Sequence, residues 1–103
     1  MGNFDAILSQ FGVEIEWLQY VDGSYVSKGT VKAILQPARI EQTLIEPGFT
    51  IDAYYRVYTN VELAVKDRVV FQGKTWEVLS AQLFESSVLG EKYVAATVRR
   101  LLA

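Results

Sequence analysis

Asp67-Arg68-Val69-Val70-Phe71-Gln72-Gly73-Lys74-Thr75-Trp76-Glu77-Val78-Leu79 is the stretch that decides the fold class. Val69, Val70 and Phe71 are β-branched or aromatic and pack well on a pleated surface. Gln72-Gly73 then makes a two-residue turn, with Gly73 supplying the positive φ that tight turns require. Thr75-Trp76-Glu77-Val78 resumes the alternation of polar and apolar residues. Two strands joined this tightly are antiparallel neighbours, and repetition of the pattern on either side makes the chain all-β.

The pattern does repeat. Upstream, Ile51, Ala53, Tyr55 and Val57 alternate with Thr50, Asp52, Tyr54, Arg56 and Tyr58. Aromatic residues fall on both faces, which predicts a central strand over residues 49–59, contacted on both sides. Residues 60–66 read as one helical turn or an extended connection, with Asn60 as a cap and Glu62 in a first turn. Downstream, residues 81–90 read as a Ser-containing connection. A closing strand follows over 91–102, with Val94, Ala96 and Val98 on one face.

Further upstream, Val13, Ile15 and Trp17 alternate with Glu14, Glu16 and Leu18, and Asp22-Gly23-Ser24 is a turn. The return strand carries Val31, Ala33 and Leu35 and is expected to bulge near Gly29. It should end by Gln36, because Pro37 has no N–H to give a ladder. Residues 3–11 place Phe4, Ile7, Leu8 and Phe11 at helical spacing, with Asn3 as N-cap and Gly12 as stop. The expectation is one domain over residues 1–103, a mainly β barrel or sandwich of about six strands with a short N-terminal helix.

Composition narrows the chemistry. The chain has 103 residues, 50% of them hydrophobic, enough for one core. A net charge of −2 is not the basic footprint of a duplex binder. With no His and no Cys, Ser-His-Asp and Cys-His sites, disulfides and imidazole- or thiolate-held metals are excluded. No apolar run reaches the ~18 residues of a membrane-spanning helix. Asp5 stands where a secretory leader would be basic, so no leader is expected.

Glu14 and Glu16 share one strand face and resemble a carboxylate pair, but a solvated face explains them. Ser27 and Lys28 are adjacent on a strand and point to opposite sides, so they cannot share a proton as nucleophile and base. No enzyme activity, cofactor or metal is expected. Trp17, Trp76, Tyr54 and Tyr58 can be read as stacking platforms for single-stranded nucleic acid or as core. Glu62, Asp67 and Glu77 offset Arg56, Lys66, Arg68 and Lys74, which favours core.

The only two prolines, Pro37 and Pro47, bracket Ala38-Arg39-Ile40-Glu41-Gln42-Thr43-Leu44-Ile45-Glu46. Residues 38–49 are expected to form a long projecting loop, and loops of that length in small domains are either functional or simple surface excursions.

The order of elements, with Val65-Lys66-Asp67-Arg68-Val69-Val70-Phe71-Gln72-Gly73-Lys74-Thr75-Trp76-Glu77-Val78 as its motif, resembles the head-tail joining proteins of tailed bacteriophages. These are also called head completion, stopper or neck proteins. The layout covers roughly residues 12–102 and the motif residues 65–79. The resemblance implies a small β-barrel of the virion, made in the host cytoplasm, that forms a ring, dodecameric in the particle and monomeric alone. The ring would sit below the portal and its adaptor protein, close the DNA exit channel and offer a surface to a tail-completion or tail-tube protein.

In that picture Arg39, Ile40, Glu41, Gln42, Thr43, Leu44, Ile45 and Glu46 form a channel gate, and DNA is met only by confinement. Phe4, Ile7, Leu8 and Phe11 on the helix, with Tyr54, Arg56 and Tyr58 on the central strand, are the candidate subunit contacts. A ring needs two complementary patches per copy. The alternatives are a tail-completion or tail-terminator protein and an unrelated small barrel serving as a binding module.

Overall fold

The computed structural model describes residues 3–37, 54–86 and 91–101. The helix α1 spans Asn3–Phe11 and is followed by β1 (Val13–Val21), β2 (Ser24–Pro37), β3 (Tyr54–Thr59), β4 (Arg68–Phe71), β5 (Lys74–Ser86) and β6 (Glu91–Arg100). All neighbours are antiparallel, and the strands close into a barrel in the order β1-β2-β3-β6-β5-β4. The expected small all-β barrel with an N-terminal helix is the observed architecture.

Turn chemistry sets the two tight hairpins. Asp22-Gly23 and Gln72-Gly73 all have positive φ, the geometry that matches the right-handed twist of the flanking strands. The bulge expected near Gly29 is present. Lys28 and Gly29 together stand opposite Trp17, and Gly29 takes a φ of 86°. Gly12 stops α1, its N–H reaching the Leu8 carbonyl at 2.8 Å.

Alternation turns Ile15, Ala33, Val57, Val69, Trp76, Val78, Val94, Ala96 and Val98 inward as one core, and Leu63 joins them from the connection after β3. Thr59 is the buried exception on β3, and its hydroxyl donates to the Lys32 carbonyl at 2.8 Å.

Three boundaries differ from the sequence expectation. β2 continues to Pro37, which faces Tyr55 as the last residue of the strand, where a missing N–H costs least. Residues 81–86 are not a connection but the second half of β5, paired with β6 from Ala81↔Ala96 to Ser86↔Glu91. Their polar Gln82, Glu85 and Ser86 concealed a strand that turns Ala81 toward the core and stacks Phe84 on Tyr93 at 5.0 Å. β6 stops at Arg100, although the Leu101 N–H still donates to the Thr75 carbonyl. Residues 60–66, expected as one helical turn or an extended connection, form no helical turn and join β3 to β4 through a bend and a turn.

Candidate assembly surfaces and the barrel mouth

The gate candidates Arg39 to Glu46 lie outside the described residues. Their flanks are placed: Pro37 ends β2 directly opposite Tyr55, next to the first residue of β3, so the two flanks stand side by side at one end of the barrel. At that end Pro37, Tyr55, Gln72, Lys74, Trp76 and Arg100 line a cavity of about 350 Å³.

Tyr55 and Trp76 give it an aromatic lining, and Phe71 packs against both. The Phe71 and Trp76 rings stack at 4.6 Å, and Tyr55 meets both edge-on at 5.6 and 5.0 Å. Lys74 and Arg100 make its rim cationic. The Arg100 Nε is buried and has no hydrogen-bond partner among the described residues. With Lys74 and Arg100 in its lining, such a mouth can hold a carboxylate or phosphate. Trp76 is therefore core and not an exposed stacking platform.

The stripe of α1 divides. Phe4 stacks on Tyr93 at 4.9 Å and Leu8 is buried, so both serve their own subunit. Ile7 and Phe11 face outward, Phe11 with 67% of its surface exposed, and Val13 extends this bare apolar strip onto β1. Isolated exposed apolar residues are ordinary, but a contiguous group is the mark of a contact surface. On β3, Tyr54 is only 2% exposed, Tyr58 is half-buried and Arg56 is exposed, its guanidinium 6.0 Å from the Tyr58 ring. Of the predicted strand contacts, Arg56 is the one most open to a partner.

A buried carboxylate that sequence reasoning treated only as local charge organises the opposite side of the barrel. Asp67 is 2% exposed and accepts from the Trp17 Nε1 (2.9 Å), the Tyr20 N–H (3.0 Å) and the Ala64 N–H (3.1 Å). Its own N–H donates to the Ala64 carbonyl, and its carbonyl accepts from the Val78 N–H. The β1–β4 seam has only three residue pairs, Glu16↔Val70 to Leu18↔Arg68. The Asp67 carboxylate continues that seam where the strands part, in place of ladder bonds. The available signal was Trp17, whose indole N–H needs an acceptor once half-buried.

Beside this lock, Tyr20 and Tyr25 meet edge-to-face at 5.3 Å. Arg68 lies 4.2 Å over the Tyr25 ring, and Lys66 lies 5.5 Å from Tyr20. The Tyr25 hydroxyl donates to the Lys66 carbonyl, which fixes a residue of φ 81°. Glu14 is exposed, and Glu16 accepts from the Ser27 hydroxyl at 3.1 Å, so neither is set against the other as an acid–base pair. Among the described residues no group of three or more carboxylates could hold a metal, and no helix is long and apolar enough to cross a membrane. No protein-family model and no curated protein matches the chain.

Proposed function

We propose that this chain is a ring-forming structural subunit of the neck of a tailed bacteriophage, a head completion or stopper protein below the portal adaptor. Its work is mechanical. The barrel is the rigid body, α1 and β3 offer contacts to neighbouring copies, and residues 39–46 face the DNA channel and close it until the tail joins.

The observation that carries this reading is the juxtaposition of Pro37 and Tyr55 at one barrel end. A segment whose two ends are pinned side by side on a closed barrel can act on a channel without disturbing the body that carries it. The bare strip of Ile7, Phe11 and Val13 supports the same reading, because a monomeric protein gains nothing from leaving it in water.

The test is a particle in which residues 40–45 are deleted. Capsids are expected to fill with DNA and then lose it, while the barrel still incorporates at the neck. Full DNA retention with normal tail joining removes the gate. A defect confined to tail length or tail completion moves the chain to the tail-terminator class.

A further inference from the structure

Two strands of this closed barrel run past one of their neighbours. β2 pairs with β3 only from Ala33 to Pro37, so from residue 24 to residue 32 it has β1 on one side and no strand on the other. β5 pairs with β4 only from Lys74 to Glu77. Past Val78, which is bonded to the Lys66 and Asp67 backbone, it has β6 alone. Residues 24–30 and 80–86 are therefore open edges among the described residues. Each offers a row of backbone N–H and C=O groups to another strand.

We propose that the open edge of β5 in one copy pairs antiparallel with the open edge of β2 in the next, giving a continuous β6-β5-β2-β1 sheet across each subunit boundary. The partner, a second copy of this chain, rests on the ring reading above. Three features of the edges select it.

Direction comes first. The antiparallel order makes β5 run opposite to β2, and rotation about an axis parallel to the barrel preserves that sense, so β5 of one copy meets β2 of the next antiparallel. Position comes second. β2 and β5 stand three steps apart either way round the six strands, on opposite walls, as a head-to-tail contact requires. Charge comes third. Residues 24–30 carry Lys28 and no carboxylate, whereas residues 80–86 carry Glu85 and no cation. Each edge thus repels its own kind and attracts the other.

The two edges are also defended unequally. β2 has a lysine and the Gly29 bulge, both devices that discourage indiscriminate pairing, and the bulge limits the flat part to residues 24–28, an ordinary strand length. β5 beyond its Leu79 bulge has neither Lys nor Pro, and Leu79 and Leu83 are exposed there, as Val26 is on the β2 edge of the opposite wall. Main-chain bonds would supply the affinity and these apolar residues the fit.

The chain has no cysteine, so engineered pairs report cleanly. Ser27→Cys is combined in turn with Gln82→Cys, Leu83→Cys or Glu85→Cys and oxidised mildly, both in the isolated chain over a concentration series and in particles recovered from a producing host. At least one pair is expected to give a ladder of covalent oligomers, with each single variant giving dimers at most. The double variant Leu83→Lys with Glu85→Lys is expected to lose assembly while keeping its circular dichroism and thermal midpoint.

Rings that form without any ladder overturn the strand pairing and leave the ring reading standing. The pairing also falls if those amides of residues 80–86 that point away from β6 are already slow to exchange in the dilute monomer. A chain that is monomeric at every concentration and absent from particles overturns both.

Discussion

The Asp67 seam and the β1–β2 arm are next to each other in space and opposite in design. At the seam, three donors converge on one buried carboxylate and every bond is internal. A few residues further along β1, Val21 lies open to water, as does Val26 on the paired β2, which there has a strand on one side only. The seam spends its hydrogen-bonding capacity on closing the barrel, and the arm holds the same capacity in reserve. Burial and satisfaction here mark what the subunit needs to fold, and exposure without satisfaction marks what it needs for meeting something else.

Substitutions that attack the closed side should cost stability heavily. Trp76→Ala removes the ring that stacks on Phe71 and meets Tyr55, and is expected to destabilise by about 3–5 kcal/mol in urea unfolding, the range for deleting a large buried aromatic. Asp67→Ala strands the Trp17 indole, Tyr20 and Ala64 N–H groups at once. A loss of about 3 kcal/mol is expected, together with faster amide exchange at Tyr20 and Ala64 as the β1–β4 seam opens. A loss below about 1 kcal/mol would mean that water replaces the carboxylate easily and that the seam is not closed by it.

Gly12→Ala should be milder. A Cβ there would come within 2.4 Å of the Leu8 carbonyl, so the last turn of α1 must shift. About 1–2 kcal/mol is expected, read as a lower thermal midpoint with the barrel core unchanged. An unaltered midpoint would show that α1 yields without cost and is not fastened to the barrel through Leu8.

The division between the two regions also explains how far the sequence could be read. Hairpins were legible because Asp22-Gly23 and Gln72-Gly73 announce their turns and alternation runs cleanly into Val69, Trp76 and Val78. Helix α1 was legible to the residue, since Phe4, Ile7, Leu8 and Phe11 repeat at its period and Gly12 ends it. What failed was anything decided between distant parts of the chain. Residues 81–86 resembled a loop because Gln82, Glu85 and Ser86 interrupt the apolar pattern, and only pairing with β6 makes them a strand. Asp67 resembled a surface acid, because its three donors come from β1 and from residue 64, and no local pattern links them. Barrel closure itself, as opposed to an open sandwich, depends on the short β1–β4 seam, which no single segment encodes.

Phe11→Ser tests the other half of the comparison and should change stability least. Phe11 is two-thirds exposed, so replacing it removes little buried surface and the expected shift is within about 0.5 kcal/mol. Self-association should respond differently. If the strip of Ile7, Phe11 and Val13 meets a neighbouring copy, truncating its largest member removes apolar area that only the assembled state buries. Sedimentation at matched concentrations, or incorporation into particles, should then show weakened assembly by a chain whose unfolding curve overlays the parent. If Phe11→Ser instead lowers stability like Gly12→Ala, the ring side of α1 belongs to the subunit's own fold, and the boundary between closed and open surface must be moved to the strand arms alone.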